Sequence, residues 1–590
     1  MFWCDELLNR LDRNLDVQII NDSKTPSGRV HVGALRGVLI HDAVFRVLKE
    51  EGIPVRYMYG VDDYDPLDEL PAEHREFYQP YLGKPLCDVP APPGSDHTDI
   101  ANYYISEFFD VFRELGVEAE IYHMRDIYRS GSFNEAIDRI LSHAADVRAI
   151  YRSVSGSERP DHWFPFQVVC ESCGRIGTTE VFAYDGKEVS YRCRPDLVTW
   201  ATGCGHEGKT SPFDGRGKLP WKLEWVAKWA NFPVTIEGAG KDHSTKGGSR
   251  DVSGAILKKI FNLRAPVNIP YEFFLVGGAK MSSSKGLGVS ARDMADFLPP
   301  ELLRFLMIRP KPNKPVNFDP DETSITKLFN EYDRYHHKVT AETPNPEDKR
   351  IYQLSDIYHQ GDYYAESFQV VTALVQMPHL DVEEEVAKRK GAALTTIELD
   401  RLRDRIRAVN YWLKHYASDD ELLVLQDHLP GRASELTATQ CAFLHDLAER
   451  LRDVSWDEDS IQALTFESAR ATPIRQPLAF AAIYRVLLDK KAGPKAGNLL
   501  AYLDREFVIR RFLEPVLNRA EYLQESAMDR TAFETWLAAN EASIIVTEVD
   551  PLDESGFKGM SVTYQKDERA HRLIVSGNDL ADLASSLVRA

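Results

Sequence analysis

Basic charge is scarce in this chain. Its 590 residues carry 71 lysines and arginines against 91 aspartates and glutamates, a net charge of −20. A generic nucleic-acid coat is basic, so that class is excluded and no DNA partner is expected. An RNA enzyme survives the exclusion, because it needs only a local basic surface while acid elsewhere suppresses promiscuous binding. Long apolar runs are also missing, which argues against a transmembrane helix and a membrane partner. Residues 1–16 alternate apolar and charged and read as an amphipathic helix, not a signal peptide. Cysteine is sparse, seven in all, and four of the seven fall between 170 and 204. That clustering favours a metal over disulfides and implies a reducing cytoplasm. Internal repeats and low-complexity tracts are absent.

What is present is an ordinary globular composition, 43% hydrophobic and 27% charged, in a chain too long for one core. Residues 17–60 read as a βαβ unit. Val17 to Ile20 is β-prone, Leu35, Val38, Leu39, Ala43 and Val47 keep helical spacing, Gly52 ends the helix, and Pro54 to Tyr59 is the next strand. Residues 61–97 read as irregular, 98–153 as helical, and the Gly- and Cys-rich 165–210 as a small β ribbon. Strand signals return at 234–236 and 273–276, so the sheet is split by a long insertion. From about 325 onward helical spacing dominates, as in Leu399, Leu402, Ile406, Val409 and Leu413. Residues 543–575 regain β character.

Two loops carry the chemistry. Thr25-Pro26-Ser27-Gly28-Arg29-Val30-His31-Val32-Gly33 joins the first strand to its helix. Gly28 and Gly33 admit close backbone approach to phosphate, Pro26 stiffens the loop, and the helix N-terminus offers N–H groups and positive dipole to an anion. His31 can donate to a phosphate oxygen as charge grows. Far along the chain, Lys280-Met281-Ser282-Ser283-Ser284-Lys285 lies between Gly277-Gly278 and Gly286, a loop with two ammonium groups and three hydroxyls. Two such loops suit an enzyme that clamps a nucleoside triphosphate in one cleft. Asp62, Asp63 and Asp65 sit at the carboxyl end of the second strand, where the ligand crevice of a parallel sheet lies. In Glu237-Gly238-Ala239-Gly240-Lys241-Asp242-His243, glycine permits a base to stack and Asp242 can hold ribose hydroxyls. Cys170-x-x-Cys173 with Cys193 and Cys204 can form a tetrahedral zinc site, with His206 as an alternative fourth ligand because ten residues separate Cys193 from Cys204.

The two loops resemble the signatures of class I aminoacyl-tRNA synthetases, usually written His-Ile-Gly-His and Lys-Met-Ser-Lys-Ser. Within that class the Thr-Pro-Ser-Gly-x-x-His-Val-Gly and Lys-Met-Ser-Ser-Ser-Lys-Gly forms resemble class I lysyl-tRNA synthetase. So do Gly240-Lys241-Asp242-His243, Leu219-Pro220-Trp221-Lys222-Leu223-Glu224-Trp225, Gly493-Pro494-Lys495 and the string from Leu503 to Ile509. The likeness runs from about 17 to 515. Ala34 stands where the class has His and this family often Asn.

The resemblance implies lysine activation with ATP and Mg2+ to lysyl-adenylate, then transfer of lysine to tRNA(Lys). A sister class I enzyme for another amino acid, glutamate first, and a non-catalytic RNA-binding relative are the alternatives. Expected catalytic groups are His31, Lys280 and Lys285. ATP is expected on Pro26, Gly28, His31, Gly33, Gly240, Asp242 and the string from Lys280 to Lys285. Substrate lysine is expected on Thr25, Trp221, His243 and Tyr271, with Asp62 or Asp65 for its ammonium and an aromatic wall for its stem. The expected fold is an α/β Rossmann-like parallel-sheet catalytic domain over 1–290, split by an insertion at about 98–215 with a zinc ribbon at about 165–210. A stem-contact region over 291–330, an all-α anticodon-binding region over 331–540 and an extension of unknown role over 541–590 follow. Candidate tRNA contacts are Lys388, Arg389, Lys390, Arg401, Arg403, Arg405 and Arg407, with Lys490, Lys491 and Lys495.

Overall fold

A computed structural model describes residues 2–71, 73–277, 289–341, 343–358, 361, 363–377, 380–419 and 421–587. The chain divides into two units, one of Met1–Ser367 with Thr396–Trp412 and the other of Phe368–Thr395 with Leu413–Ala590.

In the first unit, β1 (Gln18–Lys24), α1 (Ala34–Glu50) and β2 (Val55–Val61) form the βαβ unit. The strands pair in parallel from Gln18 opposite Val55 to Lys24 opposite Val61. Leu35, Val38, Leu39, Ala43 and Val47 are all buried, which is the face their spacing marks. Gly52, at φ +70°, takes the left-handed turn that ends the helix. Helix α2 (Ile100–Glu114) starts at Asp99, whose carboxylate accepts from the Asn102 N–H. It leads to β3 (Glu120–His123), which pairs in parallel with β2. The stretch 98–123 thus belongs to the sheet, not to an insertion. Its strand was hidden because four residues with two exposed give no apolar run. Beyond β1, Ile236 bridges Ile20 on one side and Val267 on the other, both in parallel. The order β3-β2-β1-236-267 makes the sheet reverse around β1, the place where such sheets open a crevice.

Between β3 and residue 236 lies an antiparallel ribbon of β4 (Thr179–Tyr184), β5 (Val189–Cys193) and β6 (Glu207–Thr210), followed by α3 (Trp221–Asn231). Strand β7 (Phe274–Val276) pairs with β8 (Val316–Phe318), and α4 (Ala291–Phe297) opens with a capping box from Ser290 and Asp293. Residues 396–412 bury Leu402 and Val409 in the first unit. They also bury two arginines expected to face RNA. Arg401 pairs with Glu301 and Asp356, and Arg405 pairs with Asp333 at 2.8 Å. Buried and paired, neither is available to a phosphate.

The second unit packs helices around Phe443, Leu444, Ile483, Leu487, Val508 and Phe512. It is not all-α. After α5 (Arg519–Ser526) come β9 (Ala527–Asp529), α6 (Arg530–Asn540), β10 (Ile545–Glu554), β11 (Phe557–Lys566) and β12 (Arg569–Ser576), a sheet of order β9-β12-β11-β10. Both hairpins turn on two residues of positive φ, Ser555-Gly556 and Asp567-Glu568, which matches the twist of the strands. Among the described residues no helix is long and apolar enough to cross a membrane.

Candidate active site

A cavity of about 1060 Å³ opens at the carboxyl ends of β1, β2 and the strands through 236 and 267. That is the size of a nucleotide or large-ligand site. Thr25, His31, Gly33, Asp62, Asp65, Trp221, Gly240, Asp242, His243 and Tyr271 all line it. Pro26 and Gly28 are buried beside it without lining it. Lys280, Met281, Ser282, Ser283, Ser284 and Lys285 lie outside the described residues. The chain on both sides of them is described. Phe274 lines the cavity, and the Val32 N–H donates to the Val289 carbonyl at 3.0 Å. The Ala291 N–H donates to Val30 at 2.8 Å, so His31 lies opposite Ser290 in a short antiparallel bridge.

The start of α1 differs from the expected row of free donors. The N–H groups of Ala34, Leu35 and Arg36 donate to the carbonyls of His31, Val32 and Gly33. This tight first turn leaves the dipole, not open N–H groups of that turn, as what the helix end contributes. Gly33 has helical dihedrals and neither it nor Gly28 has a positive φ, so no left-handed backbone demands glycine at either.

The acidic residues after β2 do not stand open. Lys228 ion-pairs with Asp62, and the Ser23 hydroxyl donates to Asp62 at 2.9 Å. Lys218 ion-pairs with Asp65, and the Thr25 hydroxyl donates to Asp65 at 2.7 Å. Glu224 joins the two lysines, at 3.0 Å to Lys218 and 3.7 Å to Lys228. The result is one alternating chain, Asp65–Lys218–Glu224–Lys228–Asp62, three carboxylates against two ammonium groups. Lys218, Glu224 and Lys228 are no more than 3% exposed. Burial alone would push both lysines toward neutrality. The facing carboxylates outweigh it and raise both above the ordinary lysine value. Glu224 is pushed up by burial against the pull of Lys218 and Lys228. Asp63 faces elsewhere, fully buried between His123 at 2.8 Å and Arg125 at 2.5 Å. It holds the end of β3 and is not a site residue.

One wall is aromatic. Trp221 and Trp225 line it from α3, with the buried Trp229 behind them; their ring centroids are 6.1 and 5.2 Å apart in turn, and His243 sets its ring 5.4 Å from Trp221. Tyr271 comes in against α1. A Cβ on Gly37 would lie 2.7 Å from its hydroxyl, so only glycine allows that approach. Burial, then Asp22 and Glu237, keep the Tyr271 phenol protonated. Glu237 and Asp22 line the cavity without a lysine or arginine ion pair among the described residues, though the Arg250 charge acts on Glu237. Glu237 is held by neutral donors, Trp225 Nε1 at 2.8 Å, Asn21 Nδ2 at 3.1 Å and Trp229 Nε1. Asp22 faces His41. The Gly238 N–H donates to His41 Nε2 at 2.7 Å, so the imidazole proton sits on Nδ1 and points at Asp22, 3.2 Å away.

Cys170, Cys173, Cys193 and Cys204 bring their sulfurs within 4.8 Å of one another. Gly174, at φ +73°, turns the chain so that its N–H reaches the Cys170 carbonyl at 2.8 Å. Cys170 and Cys204 lie 3.6 Å apart, Cys173 and Cys193 3.7 Å. Four thiolates at 2.3 Å from a tetrahedral zinc would stand about 3.8 Å apart, so the set fits that ion. His206 is not in the group. The long spacing from Cys193 to Cys204 is absorbed by hydrogen bonds from the Gly205 N–H to the Cys193 carbonyl and from the Cys193 N–H to that of His206.

Sequence reasoning found the edge of this site and missed its floor. Lys218, Lys228 and Asp22 carried no signal, because a lone lysine or aspartate beside an apolar run reads as surface. Glu224 and Glu237 fell inside strings noted for other reasons.

Residues 1–358 match the family model described as tRNA synthetases class I (K). Lysine–tRNA ligase 1 of Methanosarcina acetivorans is 33% identical over 536 residues, covering 87% of this chain and 98% of its own. Lysine–tRNA ligase of Methanocaldococcus jannaschii is 32% identical over 540 residues, covering 87% and 99%. A solved glutamate tRNA ligase from Elizabethkingia meningosepticum is 13% identical and covers 85% of this chain and 100% of its own with a TM-score of 0.42, a likeness too loose to carry an argument. With over half its length in the family model and these relatives matched almost end to end, the chain belongs to the tRNA synthetases class I (K).

Proposed function

We propose that the chain is a lysine–tRNA ligase, joining L-lysine to ATP as lysyl-adenylate and passing lysine to tRNA(Lys). The observation that carries the reading is the cavity at the reversal of the parallel sheet, with a tryptophan wall and a floor of net negative charge. A lysine stem suits the wall and its ammonium suits the floor. Glutamate would need free cations there, and Lys218 and Lys228 are each already shared between two carboxylates. We assign the field that draws the ε-ammonium to Asp22 and Glu237, in place of the expected direct contact from Asp62 or Asp65.

In the first step a lysine carboxylate oxygen bonds the α-phosphorus of ATP and the bond to pyrophosphate breaks. In the second, the terminal ribose hydroxyl of tRNA attacks the lysyl carbonyl and AMP leaves. No covalent enzyme intermediate is required, so positioning and electrostatics carry the rate. His31 donates toward the phosphates as negative charge moves onto pyrophosphate, with Lys280 and Lys285 assigned the same task. Asp242 and Gly240 are assigned to the ribose and base, and Thr25, Trp221, His243 and Tyr271 to lysine. Magnesium accompanies ATP and spreads the phosphate charge. Zinc is assigned to the four cysteines as a structural ion, since a full thiolate set leaves no open position for chemistry. None of the seven cysteines is in a disulfide, in keeping with a reducing cytoplasm.

The test is ATP–pyrophosphate exchange with each amino acid in the presence of tRNA, and charging of total tRNA with labelled lysine followed by identification of the charged species. Exchange driven by glutamate and not by lysine would overturn the assignment. Metal analysis should find one zinc per chain.

A further inference from the structure

The Thr25 hydroxyl has one proton, and in this structure it is spent. It points at Asp65 Oδ2, 2.7 Å away. An ionised carboxylate can only accept, so it cannot return a hydrogen bond to Thr25. Asp65 is kept ionised by Lys218, which is 2% exposed and also 3.0 Å from Glu224. Burial works to raise the Asp65 pKa. The Lys218 charge, with hydrogen bonds from Lys218 and Thr25, reverses the sign and leaves it below the ordinary carboxylate value. Thr25 therefore faces the cavity with lone pairs alone. Ser23 repeats the pattern one side-chain step back along β1. Its hydroxyl donates to Asp62 and accepts from Lys228 at 3.2 Å. Both pairs are anchored to Glu224 on α3, the helix that carries Trp221 and Trp225.

We propose that Asp65 and Lys218 are positioning residues that fix Thr25 as a pure hydrogen-bond acceptor, so that the site reads an ammonium group of the amino acid and rejects a hydrogen-bond acceptor at the same place. The proposal rests on the lysine reading and deepens it. The carboxylate named by the sequence as a direct ligand acts one bond removed, through the polarity it imposes on a hydroxyl. A site whose donors and acceptors are set in advance discriminates more strongly than a merely shaped one, because the wrong group leaves a buried polar atom unpaired.

Asp65→Asn tests this. An amide can donate to the Thr25 oxygen and release its proton toward the cavity. In pyrophosphate exchange the KM for lysine should rise about tenfold or more, while the KM for ATP and kcat change little. Adding Thr25→Val to Asp65→Asn should cost little further, because both changes remove the same acceptor. Additive effects, or equal losses in lysine KM, ATP KM and kcat, would overturn the proposal. If Asp65→Asn does not fold, Thr25→Val and Thr25→Ser in the native background decide. Valine should raise the lysine KM about tenfold with ATP unaffected, and serine, which keeps the hydroxyl, should recover most of it. A valine variant with native lysine KM would sink the proposal. Native enzyme with no lysine-dependent exchange would sink the lysine reading itself, whereas active native enzyme with indifferent variants would remove only the role given to Asp65 and Lys218.

Discussion

The floor of the cavity and the C-terminal sheet are both buried, and they are built on opposite principles. The floor links five charges in one chain from Asp65 to Asp62, with Lys218, Glu224 and Lys228 buried and the two aspartates half-buried. The sheet buries Phe533, Met560, Val562, Val575 and Leu583, and leaves its ion pairs at the rim, as in Arg519 with Glu554, both about two-fifths exposed. Apolar packing is the cheaper way to hold an interior, since removing charges from water costs several kcal/mol per ion and a paired geometry only offsets it. A protein that keeps five charges beside a cavity is spending stability on polarity. Buried pairs such as Arg401 with Glu301 and Asp356 lie away from the cavity, so what sets the floor apart is that its charges stand beside an open cavity.

The comparison can be broken where it is strongest. Glu224→Gln removes the carboxylate shared by Lys218 and Lys228. It should destabilise the first unit by about 3–5 kcal/mol and depress lysine-dependent exchange, measured by denaturant unfolding and pyrophosphate exchange in parallel. An active, fully stable variant would show that the floor is ornamental. Phe533→Ala in the sheet should cost a similar ~3–5 kcal/mol through its cavity, yet leave exchange at the native rate under native conditions. Lost exchange in a folded protein would mean that the sheet serves the chemistry after all. His31→Ala should show the reverse pattern, unfolding at native denaturant while exchange falls by roughly 10²–10³-fold. The smallest effect is a pH slope. Burial, then Arg470, Lys566 and Arg569, lower the His571 pKa against Asp567. A lowered histidine gives stability that is complete above its ordinary value and is lost as pH falls through its folded value. The second unit should weaken slightly on acidification below about pH 6.5, with a shallow slope because the ring is partly solvent-screened, and His571→Gln should flatten it.

How much of this was legible follows from what each feature depends on. The helix α1 was plain, because Leu35, Val38, Leu39, Ala43 and Val47 must share a face at helical period. The sheet edge β3 was not, since four half-exposed residues are a strand only through the neighbour they pair with. Of the two C-terminal turns, Ser555-Gly556 carries the glycine that favours positive φ. Asp567-Glu568 does not, and the hairpin forces both residues there. The cysteine quartet was readable because metal ligands announce themselves by type and spacing. Arg401 and Arg405 looked like RNA-facing charge and proved buried, because sequence period marks a face without saying what covers it.

By itself the sequence determined which residue types were available for phosphate, zinc and a cationic amino acid, and roughly where the strands and helices begin, since those follow from local periodicity and side-chain chemistry. Tertiary structure alone decided which charges meet. Asp62 and Asp65 became partners of Lys228 and Lys218, more than a hundred residues away along the chain, because the parallel sheet brings the ends of β1 and β2 against α3. Pairing in a low-dielectric interior depends on distance in space, and no local pattern encodes it.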